Sequence, residues 1–237
     1  SMKTSAFITS ILSNYVSVKL GFTYEYFKFE QTVVVDSIST LFEDFNSYGN
    51  LFIKLSADTR DKPYFATSGF NAEYNAKYAT VFSKGWAGEI FTNSLIMYLN
   101  INSFVPINEK LTLKPGIFAG WTFRQKIPPI QHWFGVGGIN EINYVSSFVP
   151  FTGVAFVQKN GFYSGVARLH LQYNVYKKFY LTFKSDFGAV ETTTEDLIDP
   201  ANTLFGYGVT ASYDSFIGPV EFSVMGSNVN SGPSVAL

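Results

Sequence analysis

The chain has 237 residues and a formal net charge of −1, so its overall charge does not favour a nucleic-acid partner. It contains no cysteine, which excludes disulfides and thiolate metal sites. Only 15% of the residues are charged and 18% are aromatic, whereas a soluble domain has about 25% charged residues. Because no run of about 20 mostly apolar residues is present, no membrane-spanning helix is predicted. A membrane β-barrel and a soluble all-β fold remain.

Segments in which apolar and polar residues alternate recur along the chain. In residues 18–26, Leu20 and Phe22 share one face of a strand, and Lys19 and Glu25 share the other. The same alternation is found at residues 51–58, 70–78, 111–124, 167–175, 179–188, 205–213 and 220–226, with weaker strands near residues 7–12 and from residue 235. We count about eleven strands.

The length of these strands distinguishes the two all-β folds. A soluble sandwich also alternates, but its strands average about 5–6 residues and its polar face meets bulk water. Here the strands are longer and their apolar face is rich in Phe, Tyr and Leu. The pattern therefore favours an antiparallel transmembrane β-barrel, with apolar side chains towards lipid and polar side chains towards a hydrated lumen.

The connections between these strands alternate in length. Short ones are predicted at residues 177–178, 215–219 and 106–110, and longer polar ones at residues 31–49, 125–149 and 191–204. Outer-membrane barrels have short periplasmic turns and long external loops. The intermediate connection at residues 59–68 then falls on the periplasmic side.

A glycine cluster at residues 134–138 raises the question of a phosphate-binding loop. No helix pattern follows it and the third glycine of a dinucleotide fingerprint is missing, so nucleotide binding is not expected. We interpret the segment at about residues 125–160 as a lumen loop that folds back into the pore as a plug or gate. Gly135, Gly137 and Gly138 would permit the tight turns. The returning segment would be anchored by Phe148, Pro150 and Phe151.

No chemistry of an enzyme is visible in this chain. Its two histidines, His132 and His170, lack metal-ligand spacing, so no metal or other cofactor is expected. No Gly-x-Ser-x-Gly motif occurs, so no catalytic residue is assigned. His170 is predicted to face the lumen beside Arg168, as part of a polar interior.

Four motifs, in order, carry a resemblance to a known family. They are DTRDKPYFATSGF (58–70), FGVGGINEI (134–142), LTFKSDFGAV (181–190) and IGPVEFSV (217–224). Over nearly its whole length, the chain resembles the barrel of the surface-antigen and barrel-assembly superfamily, which includes BamA, TamA and two-partner secretion transporters. Within it, the segments SFVPF (147–151) and GPVEF (218–222) are most similar to the barrel of patatin-like phospholipases of the Bacteroidetes type.

This resemblance implies a place and a role for the chain. Residues 1–237 would form one domain, an outer-membrane barrel of a Gram-negative bacterium with about eleven of sixteen strands, incomplete at both ends. It would anchor, and possibly translocate, a patatin-type lipase domain lying upstream of this chain. Expected partners are outer-membrane lipids and a passenger domain or larger membrane complex; the oligomeric state is open. The alternatives are an assembly or translocation factor, and a passive pore or structural subunit.

The resemblance also implies one contact between loop and strand. Assembly factors of this superfamily carry a Val-Arg-Gly motif at the tip of the lumen loop, and its arginine pairs with a strand aspartate. The matching positions here are Asn143 and Asp186. An asparagine loses the charged, bidentate pairing of arginine, which puts insertase activity in doubt and favours the patatin branch.

Overall fold

The computed structural model of the chain describes residues 2–35, 38–84, 93–124, 132–138, 147–156, 158–230 and 232–236. Within these ranges, side chains are described except at 27–35, 38–46, 81–84 and 236. Its large sheet consists of β1 (Met2–Ser13), β2 (Val16–Val35), β3 (Ile38–Asp58), β4 (Gly69–Lys84), β5 (Ser94–Pro106), β6 (Leu111–Arg124), β10 (Tyr163–Tyr176), β11 (Phe179–Glu191), β12 (Leu204–Ser215), β13 (Gly218–Ser227) and β14 (Ser234–Ala236). A smaller sheet consists of β7 (Phe134–Val136), β8 (Phe148–Val149) and β9 (Lys159–Gly161).

The large sheet has eleven strands in the order β1-β2-β3-β4-β5-β6-β10-β11-β12-β13-β14. Each strand is therefore bonded to its neighbour in sequence, except that β10 follows β6. The described registers in this sheet are all antiparallel. The prediction of about eleven antiparallel strands is confirmed, although the last of them, β14, has only three residues. Among the described residues, no helix is long and apolar enough to cross a membrane.

Burial in the large sheet is the reverse of that in a soluble protein. On β11, Phe179, Phe183 and Phe187 are 53%, 48% and 58% exposed, whereas Thr182 and Asp186 are 6% and 2% exposed. β12 follows the same rule, with exposed aromatic side chains alternating with buried threonine and serine. The alternation in the sequence therefore assigns the faces correctly: apolar groups point outward and polar groups inward.

The prediction of a long loop at residues 31–49 is wrong. β2 continues to Val35 and β3 begins at Ile38, so only residues 36–37 separate the two strands. Strands of 20 and 21 residues extend over about 66–69 Å, far more than the roughly 25 Å apolar band of an outer-membrane barrel. The sequence of residues 31–49 is polar and does not alternate regularly, which is why it predicts a loop where the two strands continue.

The chain divides into two compact units. The first contains Ser1–Leu55, Asn75–Met97 and Thr122–His132, and the second contains Ser56–Tyr74, Tyr98–Trp121 and Trp133–Leu237. In the first unit, Glu25 is 4% exposed and forms ion pairs with Lys3 and Lys77 at 3.2 and 3.7 Å. A buried carboxylate requires such partners, because its transfer out of water is otherwise very costly. The candidate site lies entirely within the second unit.

Candidate functional site

The connection between β6 and β10 forms the small sheet, in the order β8-β7-β9. β7 pairs in parallel with β8 and antiparallel with β9. Phe134, Val136 and Val149 of this sheet are fully buried. The ring of Phe134 also contacts Phe118 of β6 edge-on, with centroids 5.8 Å apart. The small sheet is therefore an element with its own hydrogen bonds and apolar contacts.

Two of the predicted glycines shape the loop after β7. Gly137 has a φ of +131°, and a Cβ there would lie 2.0 Å from the carbonyl oxygen of Ala155. Gly138 has a φ of +80°. Its N–H donates to Val154 O, and its carbonyl accepts from Phe151 N. Only glycine adopts such backbone conformations without strain at this close an approach.

The returning segment, residues 150–153, is bound by a carboxylate on β11. Thr152 donates two hydrogen bonds to Asp186 Oδ2, from its backbone N–H at 2.7 Å and its hydroxyl at 2.6 Å. The other oxygen, Oδ1, lies 2.8 Å from His170 Nε2, so His170 carries a proton on Nε2 when Asp186 is ionised. Arg168 Nη2 lies 3.4 Å from the carbonyl oxygen of Pro150. The hydrogen bonds to the ionised carboxylate of Asp186 are charge-assisted and are therefore stronger than hydrogen bonds between neutral groups.

The returning segment also lies directly on the backbone of β12 and β13. A Cβ at Gly206, which pairs with Asp186 in register, would lie 1.9 Å from Thr152 O. Gly153 has a φ of +75° and approaches Gly226 O so closely that a Cβ would lie 2.1 Å from it. Ser227 Oγ donates to Gly153 O at 2.8 Å. The contact thus requires a glycine in the returning segment, at position 153, and a glycine in β12, at position 206.

A second segment, residues 63–66 of the connection between β3 and β4, also folds inward. Phe65 is 8% exposed and stacks on Tyr180 of β11, with centroids 4.2 Å apart and an interplanar angle of 2°. Ala66 is 2% exposed, and Gln172 Nε2 lies 3.5 Å from the carbonyl oxygens of Phe65 and Ala66. The sequence predicts only a turn of intermediate length here and does not reveal that the segment folds inward.

The shape of this turn is held by Asp61. Its carboxylate accepts hydrogen bonds from Thr67 N, Thr67 Oγ1 and Ser68 N, at 2.8, 2.7 and 3.1 Å. Partial burial raises the pKa of Asp61, but the hydrogen bonds from Thr67 and Ser68 outweigh this effect, and the net pKa is lowered. The ionised form therefore stabilises the turn.

A cavity of about 360 Å³ is lined by residues of both inward segments and of the strands. Pro63 and Phe65 come from the turn, and Phe151 and Thr152 from the loop. Its charged lining residues are Arg60, Lys114, Arg168, Lys184, Asp186 and Glu221, together with His170. We call this cavity the lumen chamber.

The structure brings together most of the predicted site residues. Gly138, Pro150, Phe151, Arg168, His170 and Asp186 all line the lumen chamber. Gly135 lies in β7, and Phe148 of β8 stacks on Phe156 at 4.6 Å. Asn143 lies outside the described residues, and the loop partner that the structure shows for Asp186 is Thr152. Nothing in the local sequence distinguishes Thr152 from its neighbours.

His132 belongs to the first unit, where it is 1% exposed and packs edge-on against Tyr48. Over the described ranges, no group of three or more His, Asp or Glu side chains is placed to hold a metal ion.

Comparison with known proteins identifies the class of protein that this fold and lumen define. A model of the OMP85 superfamily matches residues 1–231, so the chain belongs to the OMP85 superfamily. Among solved structures, it is similar to BamA from Haemophilus ducreyi lacking POTRA domains 1–3, with a TM-score of 0.72 and 15% sequence identity. This similarity covers 99% of the chain and 52% of that structure's chain, so the chain spans about half its length. No curated protein matches the chain.

The match confirms the resemblance at the level of the superfamily. The all-β fold with its antiparallel sheet is that of an outer-membrane barrel of this class. At 15% identity the similarity concerns the fold and not the activity.

Proposed function

We propose that this chain is the membrane barrel of an OMP85 protein of a Gram-negative outer membrane, with a pore closed by the returning loop segment. The observation that carries this proposal is the buried pair of hydrogen bonds from Thr152 to Asp186. A loop that only rested in the lumen would not need a buried carboxylate, because a carboxylate is costly to desolvate without donors. The close approach of Gly206 and Gly153 to the loop and wall supports the same role.

The absence of cysteine from the chain permits a direct test of the gate. The double variant Thr152→Cys with Asp186→Cys removes the hydrogen bonds and replaces them with a bond that forms only under oxidation. In planar lipid bilayers, we expect small, rare currents from the oxidised form and large, frequent openings after reduction. Each single variant, which cannot form the disulfide, should not respond to reductant. Equal conductance of both redox forms of the double variant would contradict the gate.

We further propose that the barrel anchors a domain of the same polypeptide, and that this domain is a patatin-like lipase. The support is the likeness of residues 147–151 and 218–222 to patatin-associated barrels. The test is the intact mass of the native polypeptide extracted from outer membranes, followed by a phospholipase assay on that preparation. A mass far above 26.5 kDa with phospholipase activity is expected. A mass equal to that of this chain would contradict the anchor role.

The similarity in fold to BamA supports a second candidate, a factor that assembles or translocates other outer-membrane proteins. The two candidates differ in whether the barrel acts on a domain of its own polypeptide or on other outer-membrane proteins. Vesicles containing the protein should leave the folding rate of an added unfolded β-barrel unchanged if the anchor proposal is right. A several-fold acceleration would favour the assembly factor.

A further inference from the structure

A row of basic side chains crosses the inner face of three strands in the second unit. In the register of the sheet, His170 of β10 pairs with Lys114 of β6 on one side and with Lys184 of β11 on the other. All three side chains line the lumen chamber. Lys114 and Lys184 therefore lie on either side of His170, and two cations share one face of the sheet within the chamber. Like charges that share a confined space repel one another unless another group compensates for them.

Among the described residues, the acidic side chains of the chamber form no ion pair with either lysine. Asp186 is occupied by Thr152 and His170, as described above. Glu221 accepts a hydrogen bond from Ser212 at 3.3 Å. Lys114 donates to the neutral Gln172 at 3.2 Å, and within the described part of the chain neither lysine has a carboxylate at ion-pair distance. Both cations thus face the chamber without a direct counter-charge.

The lining as a whole has an excess of positive charge. Arg60 is neutralised by its ion pair with Asp58 at 2.7 Å, which leaves three cationic side chains, Lys114, Arg168 and Lys184, facing the chamber with two anionic ones, Asp186 and Glu221. Neutral hydrogen-bond donors are added by Asn71, Asn102, Gln172 and Thr182. At about 360 Å³, the chamber has room for roughly a dozen waters, at about 30 Å³ each, or for a small hydrated anion.

We propose that the lumen chamber is a binding site for a phosphate-type oxyanion, held between Lys114 and Lys184. Lysine ammonium groups bind phosphate as point charges, and rings of Lys and Arg select anions in pores. A compact oxyanion satisfies several N–H donors at once and removes the repulsion between the two lysines. The polar lining favours a free phosphate or small phosphoester over a lipid, whose acyl chains would need an apolar wall. This inference goes beyond the gate and does not depend on whether the loop opens.

The binding test uses the full-length protein in an uncharged detergent with inorganic phosphate as the probe. The line width of the phosphorus NMR signal reports binding, and thermal unfolding is followed in phosphate and in chloride at equal ionic strength. We expect saturable broadening and a higher unfolding temperature in phosphate. The double variant Lys114→Gln with Lys184→Gln should bind about 100-fold more weakly, because each removed cation contributes about tenfold. Lys178→Gln, in the exposed β10–β11 turn, is the matched control and should bind as the wild type.

Three outcomes would overturn the proposal. Equal effects of phosphate and chloride would show a response to ionic strength only. Equal phosphate binding by the wild type and the double variant would place the anion elsewhere. A rise in the unfolding temperature with vesicles of anionic phosphatidylglycerol, but not with phosphatidylcholine vesicles or with free phosphate, would assign the lysines to a lipid headgroup. Because phosphorus NMR measures binding directly, a less stable double variant still gives a decisive result.

Discussion

The loop segment 150–153 and the turn segment 63–66 both line the lumen chamber, but they are held by different forces. The loop segment is held by directional hydrogen bonds to the buried carboxylate of Asp186 and by backbone approach at Gly206. The turn segment is held by the stacking of Phe65 on Tyr180 and by longer contacts, at 3.5 Å, to Gln172. The hydrogen bonds from Thr67 and Ser68 to Asp61 join the two sides of this segment and lie within the connection between β3 and β4 itself.

This difference predicts different resistance to displacement. A hydrogen bond to a buried carboxylate is lost steeply with distance and angle, whereas stacked rings can slide with little loss of contact. The turn segment can also leave the chamber with its internal hydrogen bonds intact. We therefore expect the turn segment to move at a lower free-energy cost than the loop segment.

The largest effect is expected from Asp186→Ala. The change leaves the buried N–H of Thr152 and the ring of His170 without an acceptor, and should lower the free energy of unfolding by about 3 kcal/mol. Urea unfolding in lipid vesicles measures this loss, and limited proteolysis should show cleavage after residue 138. Asp214→Ala is the control, since Asp214 makes no side-chain hydrogen bond within the described ranges. If both variants behave alike, the carboxylate does not anchor the loop.

A smaller effect is expected from Gly206→Ala. The added Cβ would meet Thr152 O at 1.9 Å, and overpacking of this kind costs about 2 kcal/mol. Gly165→Ala, in strand β10, provides the control, because a Cβ there has no neighbour within 4 Å. We expect loop cleavage by protease to increase for Gly206→Ala alone. Equal protection in both variants would mean that the loop does not rest on β12.

The turn segment should respond more weakly still. Phe65→Leu keeps an apolar side chain but removes the stacked pair with Tyr180, at a cost of about 1 kcal/mol. Tyr64→Leu is the matched control, because Tyr64 is 55% exposed in the same turn. We expect proteolysis of the turn to accelerate in Phe65→Leu while the loop remains protected. Simultaneous loss of protection in both segments would show that they move together and would remove the contrast.

The smallest effect is expected from lowering the pH, which weakens the contribution of Asp61 to the stability of the turn. The pKa of Asp61 is lowered below its ordinary value of 3.8, so its contribution to turn stability is fully present above that value. It is lost as the pH falls from there through the lowered pKa of the folded state. Accordingly, the difference in turn proteolysis between the wild type and Asp61→Asn should be constant from neutral to mildly acidic pH and should shrink only below 3.8. A difference that shrinks already near neutral pH would contradict this assignment.

The strands could be predicted because their signal is local. A side chain of a strand faces lipid or lumen according to its parity, so the alternation at Phe179, Phe183 and Phe187 directly encodes the outer face. The signal fails where a strand leaves the membrane. β2 and β3 are far longer than the apolar band, and the alternation in the sequence does not extend to their ends.

The site was predicted only in part because its contacts join distant segments. Asp186 could be identified from its motif and its inward parity, and the aromatic phrase at residues 147–151 indicated a returning segment. The partner Thr152 and the inward position of Phe65 depend on tertiary packing across 34 and more than 100 residues, respectively. No local pattern reports such pairings, and glycines such as Gly206 show their role only when the opposing backbone is known.

The small sheet has a consequence for how current would flow. Since β7 is bonded on both sides, by β8 and β9, we expect the described part of the connection between β6 and β10 to keep these hydrogen bonds when it leaves the wall. Undocking then releases one preformed body instead of an unravelling thread. We expect recordings from a single molecule to jump between two discrete current levels, with no graded series of intermediate values.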